Sequence, residues 1–484
     1  MAITLLVLAG SWFLWKRKTD GLTSFDLVLT WAIKILASTV FLFIYTHYYG
    51  NGSLTADPNV FMEESRLLHA IANESIGDYL RFLFGLETQD MVNHYLIDTT
   101  HWNTGDLTLI NDSKNVIRMN SILYFISNGN VYFNAFVFSF FSLLGFRELY
   151  LTFYKSINFS KRTFWYALIL LPSILFWTAS MLKEPFMMVG FCLLLRAMLG
   201  ELTLKQRLWR FILGVVLMLA FKPYVLLCLI PAVLIYCAVK WVFKGRIAIS
   251  MLSVLGVFIL FLSVFPQQRD KGVFYLTRKQ FDFINIGSGG MHAYADTCFY
   301  FFRPDQFQYL TLNRQDSSIF LTKGLEAKKV ELGKALPFKD VTLQPNKKRW
   351  ILYYLTDGCA SYVPVTFIDG SFSQLIKNIP EAFMNAAFRP FFGDPGGWLK
   401  YFAVIETLLL FGWAIFSFRY WKGASPEIRL QVITLLLFSV ALLILIGWIT
   451  PVLGAIVRYR IPAYMAILVA SLLLFKQKKE LKHE

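Results

Sequence analysis

The sequence predicts an all-α polytopic membrane protein with about eleven transmembrane helices, a helical extracytoplasmic loop and a small α+β or irregular extracytoplasmic segment. Three observations carry that expectation. Of the 484 residues, 56% are hydrophobic, 17% aromatic and only 16% charged, whereas a soluble domain holds about 45–50% apolar and ~25% charged residues. Apolar runs near the ~20 residues that cross a bilayer recur along the chain. Finally, 47 Lys and Arg against 31 Asp and Glu give a net charge of +16, and the basic residues gather at the ends of alternate runs, as the positive-inside rule requires. This composition excludes the disordered, collagen-like and disulfide-scaffold classes. The placement of the charges points to cytoplasmic loops, not to nucleic acid.

Residues 1–48 hold the first two spans. The run 3–15 has no basic residue before it and Lys16, Arg17 and Lys18 after it, the reverse of a signal peptide, so its N-terminus is expected outside. The run 27–45 goes outward and ends in Tyr45, His47, Tyr48 and Tyr49, aromatic residues suited to a membrane interface. Residues 131–265 hold helices three to eight. The run 131–149 returns to Lys155, Lys161 and Arg162, 164–182 goes out, and 185–199 comes back to Lys205, Arg207 and Arg210. The stretch 211–239 is interrupted by Lys222-Pro223 and reads as two short helices meeting at the outer side. Lys240, Lys244 and Arg246 mark the cytoplasm before 247–265 goes out. Residues 399–475 hold the last three spans, with runs at 401–418, 430–448 and 462–475, and 476–484 form a basic cytoplasmic tail. Lys34 and Arg196 lie nearer cytoplasmic helix ends and are expected to snorkel.

Two segments are expected outside the bilayer. Residues 49–130 are acidic and carry amphipathic patterns at 61–86 and 116–126, with Asp106 and Asp112 among the acids. Residues 266–398 mix the loop Gly287-Ser288-Gly289-Gly290 with alternating runs such as 350–355. Both Cys298 and Cys359 fall in this second segment, so an oxidising compartment would allow a disulfide between them. Cys192, Cys228 and Cys237 lie in spans and read as packing residues. No internal repeat supports an inverted-repeat transporter.

Chemistry is therefore sought among polar residues at the outer helix ends, where charges need a partner or a purpose. The sequence Asp57-Pro58-Asn59-Val60-Phe61 follows a span and precedes an amphipathic helix. On local chemistry Asp57 reads as an N-cap with Pro58 at the first helical position, and Glu63 and Glu64 suit the start of a helix. The same Asp-x-x-x-aromatic pattern on the first outer loop resembles that of the GT-C membrane glycosyltransferases, in particular the group of protein O-mannosyltransferases and aminoarabinose transferases. Pro172-Ser173 through Trp177 to Lys183-Glu184, Phe221-Lys222-Pro223-Tyr224, Phe388-Arg389-Pro390-Phe391 and Arg458-Tyr459-Arg460 are similar to segments of bacterial members. Pro58 stands where the mannosyltransferases have a glutamate after the aspartate.

The resemblance implies transfer of a sugar or glycan from a polyprenyl-phosphate-linked donor to a glycan, lipid or protein acceptor at the outer face of a bacterial inner membrane. It makes Asp57 the catalytic base, with Glu63 or Glu64 as its substitute or as ligand to a divalent metal. Lys183, Lys222, Arg389, Arg458 and Arg460 become candidates for the donor phosphate, because a lipid-linked phosphate at the interface needs cationic or hydrogen-bonding groups there. Glu184 is expected to pair with Lys183, and Glu406 with Arg458 or Arg460. Pro451, Gly454 and Pro462 bracket an expected non-helical approach to the last span. A glycan polymerase or ligase relying on outer arginines, and a non-enzymatic subunit of a membrane complex, are the competing readings. The topology itself is testable: reporters fused near Asn111 and Lys328 should read extracytoplasmic and one after Lys479 cytoplasmic, and a cytoplasmic signal at Lys328 would invert half of the arrangement.

Overall fold

The computed structural model describes residues 1–17, 19–102, 111–295, 298–313, 316, 318–331, 338–345, 350–356, 358–368 and 370–475. Lys18, Asp106 and the basic tail at 476–484 lie outside them. The chain forms two compact units. One holds Met1–Tyr236 with Leu410–Phe438 and the chain from Tyr464 on; the other holds Cys237–Leu409 with Ser439–Ala463.

The first unit opens with α1 (Ala2–Lys16) and α2 (Ser24–Phe43), the latter extended by a π-helical turn at Ile44–Tyr48. Thr23 and Asp26 close a capping box at the start of α2, satisfying two of its orphan N–H groups. Four helices occupy the described part of residues 49–130, the stretch expected outside the bilayer: α3 (Ala56–Glu74), α4 (Ile76–Leu83), α5 (Gln89–Tyr95) and α6 (Asp112–Ser127). The continuous pattern expected over 61–86 is broken at Ser75, whose hydroxyl caps α4 by accepting from Asp78 N at 3.2 Å. Then come α7 (Val131–Phe153), α8 (Lys161–Leu170), α9 (Pro172–Trp177), α10 (Glu184–Leu199), α11 (Leu204–Phe221) and α12 (Pro223–Cys237). The break expected at Lys222-Pro223 is present. The run expected at 164–182 is broken too, because Leu171 is extended and Pro172 starts a new helix, as a residue before proline is biased to do. A Cβ on Gly145 would lie 2.8 Å from Val189 Cα, and one on Gly190 3.1 Å from Gly214 O, so α7, α10 and α11 approach nearly backbone to backbone.

Among the polar contacts of this unit are two sets with no residue in common. One joins α2, α7, α8, α11 and the loops beside them: Arg162 Nε to Asp26 Oδ2 at 2.9 Å, Arg147 Nε to Thr19 Oγ1 at 2.9 Å, Lys155 to Glu201 at 2.9 Å and Arg210 to Glu148 at 2.8 Å. Arg196 reaches the same Glu148 at 4.0 Å and donates to Leu151 O, so it is paired and does not snorkel. The other set joins residues expected at outer ends: Lys183 with Asp112, Lys222 with Glu184, and Asn115 with Ala220.

In the second unit α13 (Ile247–Val264) is apolar on every side, and only 6% of its apolar window is buried. Leu252, Leu255, Val257 and Phe258 all face outward, a surface suited to lipid. The helix α14 (Pro266–Ser288) follows and turns at Gly289 (φ +77°) into a seven-stranded antiparallel sheet of order β3-β4-β7-β1-β2-β5-β6. Its strands are β1 (Gly290–Ala295), β2 (Cys298–Phe302), β3 (Leu310–Asn313), β4 (Ser318–Leu321), β5 (Leu325–Glu331), β6 (Phe338–Leu343) and β7 (Trp350–Thr356). One sheet face buries Met291, Tyr300, Phe302, Ile319 and Trp350, and residues 266–398 resolve as α+β. The chain continues through α15 (Phe372–Lys377), α16 (Ile379–Phe388), α17 (Lys400–Phe418), α18 (Pro426–Ile449), α19 (Leu453–Tyr459) and α20 (Ile461–Leu474). Buried Gln280 ties α14 to the loop after β7 and to the end of α18, donating to Thr366 O at 3.0 Å and Trp448 O at 2.7 Å and accepting from Ile368 N at 2.8 Å.

Among the described residues, six helices are long and apolar enough to cross a membrane, and the pair α19–α20, bent by 50°, makes a seventh. The approach to the last span is helical, since α19 occupies the stretch expected to be irregular. The expected disulfide is not formed: all five cysteines are free. The register explains this. Cys298 pairs across from Ala295 at one end of β1, whereas Cys359 N donates to Gly287 O, before the other end. The six residues of β1 separate the thiols by roughly 17 Å at ~3.4 Å per residue, far beyond the ~7 Å limit between Cα atoms.

His292 on β1 meets Asn285 Nδ2 at 2.7 Å through its Nε2. Burial, aided by Arg278, pushes its pKa down from 6.5 to about 4. Protonation then favours the unfolded chain, so the second unit should keep full stability above pH 6.5 and lose up to roughly 3 kcal/mol as the pH falls to 4. His292→Gln should flatten that acid limb in thermal unfolding curves recorded in detergent.

Candidate functional site

The contacts of Lys183, Lys222 and Asn115 gather around the start of α10 and the ends of α6 and α11. Lys183 is its N-cap and Glu184 its first residue. Lys183 Nζ lies 2.8 Å from Asp112 Oδ1 at the start of α6 and 5.8 Å from the centre of the Phe61 ring on α3. Glu184, fully buried, lies 3.6 Å from Nζ of Lys222, which occupies the break between α11 and α12 and sits over the Tyr224 ring. The expected pairing of Lys183 with Glu184 is therefore exchanged for Lys183–Asp112 and Glu184–Lys222: neighbours in sequence at a helix start point apart, and each finds its partner on another element. Asn111 caps α6 by accepting from Lys114 N at 3.1 Å. Asn115 Nδ2 then donates to Ala220 O at 2.8 Å, fastening α6 to the end of α11.

Asp57 lies on the exposed first turn of α3. It is not the N-cap; Thr55 is. One turn further on is Phe61, so Asp57 and the ring beside Lys183 share a face of α3. Glu63 is exposed and pairs with Arg66 at 3.1 Å. Glu64 points the other way and is buried, where Oε1 accepts from Thr100 N at 2.8 Å and His101 N at 3.2 Å and lies 3.1 Å from His101 Nδ1. Of the three carboxylates, Glu64 is committed to holding the loop at His101, whose ring is 5.6 Å from that of Phe61.

The remaining candidates belong to the second unit. Arg389 ends α16, donates to Asn385 Oδ1 at 2.9 Å and pairs with Asp394 at 2.6 Å. Arg460 is fully buried between α19 and α20. Its Nη1 donates to Ala386 O at 3.2 Å and to Arg389 O, and its Nη2 to Thr407 Oγ1 at 3.0 Å. Glu406, the neighbour of Thr407, is buried as well. Arg458 lies within α19 and is half-buried. The structure thus brings Lys183, Glu184 and Lys222 together with Phe61 in one unit, and Arg389 and Arg460 together in the other.

Sequence reading passed over Asp112, Asn115 and His101 as site neighbours, and Arg118, which donates to Phe82 O at 2.7 Å and to buried Glu87 at 2.9 Å. Asn111-Asp112 before an apolar pattern was a legible helix start, but nothing local said which helix it would meet. Among the described residues no group of three or more His, Cys, Asp or Glu could hold a metal ion. Comparison with protein-family models, curated proteins and solved structures finds no match to this chain.

Because Arg460 gives its donors to two backbone carbonyls and a hydroxyl, Arg460→Ala should cost about 3 kcal/mol of stability, the usual worth of charged hydrogen bonds with their acceptors left buried. A lower unfolding midpoint in detergent would show it. A variant as stable as the parent would return Arg460 to the list of anchors for an external anion.

Proposed function

We propose that the chain is a polytopic membrane enzyme that transfers a sugar or glycan from a polyprenyl-phosphate donor to a glycan, lipid or protein acceptor at the outer face of a bacterial inner membrane. The observation that carries this reading is the cluster at the start of α10: Lys183 and Lys222, from separate parts of the chain, meet Asp112, Glu184 and Phe61 at the end of the helices where the outer-loop helices α3 and α6 dock. In this arrangement α1, α2, α7, the α8–α9 pair, α10, α11, α12, α13, α17, α18 and the α19–α20 pair are the eleven spans, with the N-terminus out and the C-terminus in.

The donor keeps its lipid in the bilayer and its phosphate at that level. Lys183, 14% exposed beside an Asp112 that is 35% exposed, exchanges its carboxylate for the phosphate, with the N-terminus of α10 behind it. The acceptor hydroxyl oxygen attacks the anomeric carbon, the bond from that carbon to the phosphate oxygen breaks, and polyprenyl phosphate leaves. Asp57, on the face of α3 that carries Phe61, takes the hydroxyl proton.

Two substitutions separate the parts. Lys183→Met should weaken binding of a photoreactive polyprenyl phosphate about 10–100-fold, the equivalent of a charged hydrogen bond. Asp57→Asn, which keeps the side chain's shape and one acceptor oxygen, should leave that binding intact yet slow transfer by roughly 10²–10⁴. Near-normal transfer by a well-expressed Asp57→Asn protein would defeat the assignment of the base, and unchanged probe binding by Lys183→Met would defeat the donor site.

A further inference from the structure

Lys34 stands in the middle of α2, fully buried. Among the described residues it pairs with no carboxylate. Its Nζ instead donates to Thr178 O at 2.9 Å and to Thr178 Oγ1 at 2.7 Å, and the ring of Phe146 on α7 lies 5.7 Å away. A charge at that depth is costly and marks a functional position by default, its partner being the clue to the purpose. Here the partner is a broken helix end. Thr178 is the C-cap of α9, and its carbonyl also accepts from Ser142 Oγ of α7 at 3.2 Å. Its hydroxyl passes its own hydrogen to Ile174 O at 2.6 Å. From Thr178 to Leu182 the backbone is non-helical and buried, with each residue at most 1% exposed. Irregular backbone in an apolar interior persists only where protein groups satisfy it. Lys34 and Ser142, from two different helices, do so at the first residue of this turn, and Lys183 follows its last.

We infer that Lys34 is a positioning residue: by holding Thr178 it fixes the turn that presents Lys183 to Asp112 and Glu184 to Lys222. The inference rests on reading the start of α10 as the donor site. Lys34 touches neither pair, and acts on them through five residues of buried backbone. A lysine suits this role because its three donors serve the carbonyl and the hydroxyl at once, which a hydroxyl or apolar side chain cannot.

The test reads geometry apart from activity. In full-length protein purified in detergent, Lys183→Cys with Asp112→Cys reports the separation of the two positions by the rate of capture with a short thiol-to-thiol cross-linker. Adding Lys34→Met should slow that capture about tenfold in the fraction that elutes as folded protein. Adding Thr178→Val, which removes one of the two acceptors, should slow it less, and the two effects should not be additive. If Lys34→Met only lowers yield while the folded fraction cross-links at the parental rate, Lys34 is a folding residue and the inference fails. If Lys34→Met gives no folded protein, the milder Thr178→Val and Ser142→Ala decide it, and parental rates in both overturn it. In the chain with native Lys183 and Asp112, Lys34→Met should also weaken binding of the photoreactive polyprenyl phosphate. Slowed cross-linking with no probe binding even by the parent would leave the tether standing and overturn the donor site it was taken to serve.

Discussion

Helix-end carbonyls in an apolar interior need donors, and the rest of the structure depends on how this chain supplies them. The last four carbonyls of every helix lack an intrahelical partner, and a bundle with many breaks makes many such ends. Basic side chains fill them repeatedly. Lys34 donates to Thr178 O, Arg118 to Phe82 O at the end of α4, and Arg196 to Leu151 O near the end of α7. Arg460 likewise reaches Ala386 O in the last turn of α16. Cations also complement the negative end of a helix dipole. The surplus of Lys and Arg is therefore more than a topology signal; part of it is built into the breaks.

This changes how the candidate cations are weighed. A lysine or arginine in an outer helix end reads, from sequence, as waiting for an anion. Arg460 donates to carbonyls inside protein and Arg118 to a carbonyl and a fully buried carboxylate, whereas Lys183 meets a partly exposed carboxylate at a helix start, where a positive side chain opposes the dipole and an added anion is welcome. That difference, not the count of cations, singles out the start of α10.

Much of the helical order was legible. Runs of apolar residues, the break at Lys222-Pro223 and the amphipathic helices of the first outer segment follow from periodicity and proline chemistry alone. The break at Pro172 was equally visible in the sequence but was outweighed by the length of the apolar run around it. The sheet was only half legible: alternation marked β7, while Gly289 turned out to be a helix-to-strand hinge. Pairings were the least legible layer. Lys183 with Asp112 and Glu64 with His101 are 71 and 37 positions apart in sequence, and residue type says only that each needs a partner. The cysteine pair failed for the same reason, since sharing a segment does not fix which end of a strand each thiol occupies.

The strand order leaves β3 and β6 at the edges of the sheet. An open edge is a template for another chain, and proteins blunt it with short strands and charges. Here β3 is four residues long, and β6 carries exposed Lys339 and Asp340, the latter 2.9 Å from Lys328 on β5. An intruding strand would have to strip water from these charges on one side and would find too little ladder to grip on the other. Both edges of the sheet are thereby kept from seeding strand exchange between copies of the chain.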